Sequence, residues 1–250
     1  MKITIIPLAA LFLCLGLAAG CARKKSTSWE SIKNPETVAQ LKSFVAEKEA
    51  QANAAAKADG QEMPAEFRPY FAAAQRGDWL TVSNTFVDFR KHAPQYEHSG
   101  KTDLRLHGPA WQAVIETWGG LDAFGEGDEK YSAAYAGDII ESIPAGGVYF
   151  GGTDPGRFLI TAMQKNQVAG DPFFTLTQNA LADATYLDYL RLMYGDRLYI
   201  PTAEDSQKGA SGNSGAGKLE IMETTIEAAA ETIYDWRHEN SPDRPDVGLL

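Results

Sequence analysis

A glycine-rich loop between an apolar run and a helix start is the first place in the chain where backbone and side chains could bind a ligand. The loop consists of Gly151, Gly152, Thr153, Asp154, Pro155, Gly156 and Arg157. Its glycines allow positive φ angles and close approach of the backbone, and proline suits the first turn of a helix. With Thr153 or Asp154 as the N-cap, the free N–H groups form an anion site that Arg157 could complete. The alternative is a capped turn with Arg157 on the surface or paired to Asp154.

A second polar group follows the next predicted strand and contains Gln178, Asn179 and Asp183. Because parallel strands bring their C-terminal ends to one edge of a sheet, this group is predicted to meet the first loop. Acid, amide and guanidinium groups suit a polar ligand such as a sugar, or a hard cation held by oxygens. The alternative needs no ligand: Asn179 caps the next helix and Asp183 favours its dipole. The predicted ligand-binding residues are Gly151, Gly152, Thr153, Asp154, Gly156, Arg157, Gln178, Asn179 and Asp183, with no metal and no cofactor.

The elements that must position these residues are three short apolar runs separated by helical patterns. The runs cover residues 148–150, 173–177 and 198–200. Short apolar strands that alternate with helices are typical of parallel βαβ units. We therefore predict an α/β fold, in which an N-terminal helical region precedes a small parallel three-stranded βαβαβ sheet with flanking helices.

The helical region is predicted from apolar spacing near 3.6 residues. A helix that starts at Pro35 and ends near Gly60 is rich in alanine, lysine and glutamate and is expected to be solvated. An αα-hairpin turns at residues 77–78, and a helix at 109–124 carries tryptophans at core spacing. After a polar loop at 202–217, the apolar residues of 219–236 predict a helix that packs back onto the sheet.

The predicted domain organisation begins with a signal peptide at residues 1–20. A tether and the solvated helix occupy 21–62, and a globular domain occupies 63–250. That domain divides into a helical part at 63–143, an α/β part at 144–240 and a loose tail at 241–250.

An export signal occupies the N-terminus. Lys2 precedes an apolar run at 3–17 and a small-residue site that ends in Cys21. The segment Ala18, Ala19, Gly20, Cys21 resembles the lipobox of bacterial lipoproteins, although that family most often has leucine where Ala18 stands. The resemblance implies cleavage before Cys21, acylation of its thiol, and a membrane-anchored domain outside the cytoplasm. A plain signal peptide or an uncleaved anchor is the alternative.

Residues 137–195 resemble a soluble extracytoplasmic region of bacterial membrane proteins of the protein O-mannosyltransferase-like class. The similar stretches are YFGGTDPGRF and FFTLTQNALADATYLDYLRLMYG. The resemblance implies work on envelope glycans or polypeptides, and only the loop at 151–157 can be carried over from that family. The chain lacks the multiple spans and membrane-embedded acids of those transferases.

Charge and motif patterns exclude two classes of partner. The net charge is −10 and the basic run Arg23, Lys24, Lys25 stands alone, which argues against nucleic acid. Residues 212–218 fit a phosphate-binding loop, but Leu219 replaces the hydroxyl that magnesium needs and no apolar strand precedes the motif. We therefore predict no nucleotide.

Three functional hypotheses follow from these patterns. The first is a lipid-anchored envelope protein that binds a polar ligand or an envelope protein at residues 151–157. The second is an enzyme or accessory factor that acts on glycans, with Asp154 and Asp183 as acid–base groups or metal ligands. The third is a scaffolding lipoprotein that uses its αα-hairpin, which an exposed aromatic groove would favour.

Overall fold

Seven α-helices and two short strands make up the computed structural model within the residues that it describes, which are 28–96, 101–125, 127–152, 155–202 and 233. The helices are α1 (Pro35–Ala58), α2 (Phe67–Arg76), α3 (Trp79–Arg90), α4 (Pro109–Gly125), α5 (Glu129–Ser142), α6 (Pro155–Met163) and α7 (Ala184–Tyr194). The strands are β1 (Val148–Gly151) and β2 (Phe174–Thr177).

Local sequence signals define the helix ends. The Asn34 side chain accepts a hydrogen bond from the Glu36 N–H at 2.8 Å, and Pro35 occupies the first position of α1. Gly77 adopts the left-handed conformation, with φ of 71°, and ends α2. Asp78 then caps α3 by accepting from the Thr81 N–H. These signals confirm the predicted helix start at Pro35 and the predicted αα-hairpin.

The two strands are parallel, and α6 connects them. The register pairs Val148 with Phe174 and Gly151 with Thr177. Both strands therefore end at the same edge of the sheet, where α6 and α7 begin. This arrangement confirms the first βαβ unit.

The predicted three-stranded sheet is wrong. The described residues are mostly helical, and their sheet contains β1 and β2 only. Leu198 and Ile200, which were assigned to the third strand, are buried in the core but lie outside any strand. A short apolar run indicates that its side chains are buried. A strand also needs a neighbouring backbone with which to form hydrogen bonds.

Helix α4 lies at the centre of the fold, with α1 and α6 packed along it. The glycines of α4 allow this close packing, because a Cβ at Gly119 would overlap the Phe158 ring and one at Gly120 would lie 2.8 Å from Phe44. Helix α1 was expected to be solvated. Instead it buries one side against the core, through Thr37, Leu41, Phe44, Val45, Lys48, Ala52, Ala55 and Ala56.

Small side chains explain why α1 is more buried than its sequence pattern predicts. Alanine adds little to a hydrophobic pattern, yet Ala52 and Ala55 are almost completely buried. An alanine-rich face lets a helix approach its neighbour closely, and burial then comes from packing over the whole face.

The aromatic side chains of α2 and α3 are buried in the core, and the scaffolding hairpin stays a prediction. Of the predicted helix at 219–236, only Ile233 is described, and it is buried in the core. Among the described helices, none is both long and apolar enough to cross a bilayer.

Candidate functional site

A cavity of about 320 Å³ opens where the C-terminal end of β2 meets α3, α4, α6 and α7. Its size is at the lower end of the range for small-molecule sites. Arg90 and Gln95 are exposed and lie at its rim, whereas Trp111, Arg157 and Thr177 are buried. The lining residues are Phe86, Arg90, Gln95, Tyr96, His107, Trp111, Gln112, Ile115, Trp118, Arg157, Phe158, Thr177, Ala180, Asp183 and Tyr186.

Three stacked rings form one wall of the cavity. The Phe86 ring lies between Trp118, at a centroid distance of 4.4 Å, and Trp111, at 5.7 Å. The rings are nearly parallel, with interplanar angles of 12° and 7°. The two tryptophans lie seven residues apart on α4 and therefore on one face of that helix. The stack makes this wall rigid and largely apolar.

Polar atoms on the cavity-lining residues lack partners. Trp111 Nε1, Trp118 Nε1 and Thr177 Oγ1 are buried and form no hydrogen bond to any other described residue. Trp111 is 1 % exposed and Thr177 is 3 % exposed. More than nine in ten buried polar groups in proteins are satisfied, so these three atoms are exceptions.

A buried charge network adjoins the cavity through Arg157. The Arg157 guanidinium donates to Glu116 Oε1 at 2.9 Å, and Lys48 Nζ donates to Glu116 Oε2 at 2.5 Å. Lys48 also contacts the side-chain oxygens of Gln51, Gln167 and Tyr189. Both cations and the carboxylate are almost completely buried. Two positive groups therefore share one negative group in the interior.

Glu116 remains ionised in this network. Burial by itself raises the pKa of its carboxyl group, but the charges of Lys48 and Arg157 outweigh burial and lower the pKa below its ordinary value. Hydrogen bonds from Lys48 and Tyr189 act in the same direction. At neutral pH Glu116 is a carboxylate, fixed between its partners.

The structure brings some of the predicted site residues together. Gly151 pairs with Thr177 across the sheet, and Arg157 and Asp183 line the same cavity. A Cβ at Gly151 would overlap the Arg157 side chain, so glycine is needed for Arg157 to fold back over the end of β1. Thr153 and Asp154 lie outside the described residues.

The other predicted residues do not line the cavity. Gln178 is half-buried and Asn179 is exposed, and both belong to a short 3-10 turn after β2. Gly152 and Gly156 are half-buried. The cap of α7 is Asp183 rather than Asn179, because the Asp183 Oδ1 accepts from the Thr185 N–H at 2.8 Å. Asp183 therefore combines a structural role with a position on the cavity wall.

Sequence reasoning missed most of the site. Lys48 follows Leu41 and Val45 at helical spacing, and this charge on an apolar face was a usable signal. Glu116 likewise lies between apolar residues of α4. Trp111 and Trp118 were interpreted as core residues; they are core residues that also line the cavity. Nothing in the sequence around Tyr186 or Thr177 indicated that these residues line a cavity.

No group of three or more histidine, cysteine, aspartate or glutamate side chains that could hold a metal ion occurs among the described residues. Comparison with known proteins adds no candidate ligand. No family model, no curated protein and no solved structure matches the chain.

Proposed function

We propose that the chain is a lipid-anchored protein of the cell envelope that binds a small polar ligand in the cavity beside Arg157. The ligand lies against the stacked wall of Trp111, Phe86 and Trp118 and bonds to the polar atoms around it. The proposal keeps the ligand-binding function predicted for the loop at 151–157. It moves the ligand from the loop itself to the adjacent cavity.

The observation that carries the proposal is the set of unpartnered buried atoms. An indole N–H or a hydroxyl group that is buried without a partner costs about 1–3 kcal/mol of stability. Trp111, Trp118 and Thr177 carry such atoms, and all three residues line a single cavity. A bound ligand with hydrogen-bond acceptors would satisfy those of the three atoms that it reaches.

The glycan-enzyme hypothesis stays a prediction. It needs Asp154 and Asp183 as a pair, and Asp154 lies outside the described residues. Glu116 does not replace Asp154, because its carboxylate is held by Lys48, Arg157 and Tyr189 within the interior. Binding, and not acid–base chemistry, is the function that the described groups support best.

The cavity is tested with four probes that differ in charge or shape: benzoate, benzyl alcohol, benzylamine and N-acetylglucosamine. The chain has five tryptophans, so five indole N–H signals are expected in a nitrogen–proton NMR spectrum. We expect at least one probe to shift the signals of Trp111 and Trp118 but not that of Trp29, whose N–H donates to the Gln75 carbonyl.

Ala180→Phe places a ring in the cavity and is expected to abolish the shifts. Ala134→Phe makes the same change at an exposed position of α5 and is expected to leave them intact. If none of the four probes moves either indole signal, or if Ala180→Phe leaves binding unchanged, the cavity is not a ligand site.

The lipid anchor is tested at Cys21. The motivation is the lipobox-like segment, which lies outside the described residues. Cys21→Ser removes the thiol that would be acylated, and two lipid signals or one multiply acylated residue are needed for stable anchoring. We expect the wild-type chain in the membrane fraction and the variant released from it. Equal recovery of both in the soluble fraction would refute the anchor.

A further inference from the structure

An exposed pair of tyrosines on α5, Tyr131 and Tyr135, lies beside the point where the chain enters the fold, and we propose that this surface rests on the lipid bilayer. The inference rests on the lipid anchor of the proposed function and names the face of the domain that the anchor turns towards the membrane. It does not involve the cavity.

The chain is fixed to the domain from its first described residues. The Trp29 ring fills the space that a Cβ at Gly77 would need. The backbone N–H groups of Lys33 and Asn34 both donate to the Glu129 carboxylate at 2.8 Å. Because Glu129 is the first residue of α5, the entering chain lies against the N-terminal end of that helix.

Little chain separates this attachment from the proposed anchor. Residues 22–27 are the six between Cys21 and Ser28, and a fully extended chain of that length spans at most roughly 25 Å. A globular domain of this size has a radius of gyration of roughly 17 Å, so the tether is shorter than the domain is wide. The surface around the chain entry therefore faces the bilayer, and the opposite surface cannot reach it.

Helix α5 carries exposed aromatic rings at this place. Of the large apolar side chains that are exposed in the described part of the chain, the two aromatic ones are Tyr131, 71 % exposed, and Tyr135, 49 % exposed. They lie four residues apart and therefore on one face of α5. Ala136 is the one residue that α5 buries, so most of the helix surface is turned away from the core.

The side chains of this face suit the headgroup region of a bilayer. Tyrosine has an apolar ring and a polar hydroxyl group and is enriched where lipid meets water. Lys130 Nζ lies 6.0 Å from the centre of the Tyr131 ring, where it can pair with a lipid phosphate. Acidic side chains are also present on the helix or at its start, and they disfavour strongly anionic lipid: Asp128, Asp138 and Glu141. A zwitterionic headgroup such as phosphatidylcholine therefore fits best.

The contact is expected to depend on the anchor. Two tyrosines contribute too little to hold a whole domain on a bilayer by themselves. A short tether keeps their face near the lipid at an effective concentration on the order of millimolar. The tyrosines should therefore contact lipid only while Cys21 is attached to it.

The test uses the mature chain that begins at Cys21, the one thiol left in it. This thiol is coupled to a maleimide lipid in phosphatidylcholine vesicles, so that the anchor is supplied chemically. Hydroxyl-radical labelling followed by mass spectrometry measures the accessibility of each side chain, with blocked maleimide vesicles as the reference. We expect labelling of Tyr131 and Tyr135 to fall at least about threefold on coupling, because side chains at the interface are shielded from water. Labelling of Leu192, an exposed residue of α7, should stay unchanged.

A double variant tests whether the tyrosines themselves make the contact. Tyr131→Glu with Tyr135→Glu replaces both exposed rings by charged groups. Acetylation of Lys130 is expected to slow at least about threefold on coupling of the wild-type chain, since interfacial groups are shielded, and to be unaffected by coupling of the variant. Leu192→Glu is the matched control and should behave like the wild type.

Two kinds of failure are distinguishable. Equal labelling of Tyr131 and Tyr135 with and without coupling, or stronger protection of Leu192, would overturn the membrane-facing surface and leave the anchor standing. Recovery of the wild-type chain in the soluble fraction in the Cys21→Ser experiment would overturn the anchor and this surface together.

Discussion

Replacement of Glu116 by glutamine is expected to lower the free energy of unfolding by about 3–5 kcal/mol. The carboxylate accepts from Lys48 and Arg157, and its side chain is 3 % exposed. In the Glu116→Gln variant both cations stay in the interior without the Glu116 carboxylate. Urea denaturation followed by circular dichroism measures the loss.

A matched control is available on the surface. Asp88 and Lys91 form an ion pair at 3.1 Å, and both side chains are more than half exposed. Asp88→Asn makes the same change of carboxylate to amide and is expected to cost less than about 1 kcal/mol. If Glu116→Gln is no more destabilising than Asp88→Asn, the buried network does not stabilise the fold as described.

The contribution of Glu116 to the free energy of unfolding is expected to depend on pH. Because its pKa is lowered in the folded protein, the folded state favours the ionised form more than the unfolded state does. The contribution is complete above the ordinary value of 4.5 and is lost as pH falls through the lower, folded pKa. The difference in unfolding free energy between wild type and Glu116→Gln should therefore shrink in acid. A difference that stays constant from neutral pH to pH well below 4.5 would contradict the lowered pKa.

Replacement of Phe86 by alanine is expected to cost about 3–5 kcal/mol of unfolding free energy. The Phe86 ring is 2 % exposed and lies between two tryptophan rings. Its removal deletes both stacking contacts and leaves a hole beside the cavity that neighbouring side chains fill only in part. Thermal and urea denaturation measure the loss.

Val87 is the neighbouring control residue on α3. Its side chain is 51 % exposed, and Val87→Ala is expected to change stability by no more than about 0.5 kcal/mol. The stack also makes a spectroscopic prediction, since Phe86→Ala should move the indole signals of Trp111 and Trp118 together. Movement of neither signal would show that Phe86 does not hold the two rings in place.

Local signals in the sequence predicted the parts of the fold that depend on neighbours in the chain. Asn34 and Pro35 predicted the start of α1, and Gly77 and Asp78 predicted the hairpin between α2 and α3, because caps and turns need only a few adjacent residues. The pair of parallel strands was predicted from two apolar runs with a helix between them. Because parallel strands bring their C-terminal ends to one edge of a sheet, Arg157 and Asp183 were also expected to lie near each other.

The third strand could not be predicted correctly from the same signals. Leu198 and Ile200 are as apolar as the residues of β1 and β2 and equally buried. A strand exists only where a second backbone offers hydrogen bonds, and that condition belongs to the tertiary structure. The packing of α1 against the core could not be predicted either, because its alanines give no strong apolar pattern.

The amino-acid sequence by itself determined the helix boundaries, the first βαβ unit and the placement of Arg157 in the first turn of the helix after β1, since each depends on residues close together in the chain. The tertiary structure alone decided that Lys48, Glu116 and Arg157 meet, and that Trp111, Trp118 and Thr177 surround one cavity. Lys48 and Arg157 are more than a hundred positions apart and meet only at Glu116. Such a meeting follows from how α1, α4 and α6 pack, and helix packing depends on the shapes of whole faces rather than on any local pattern.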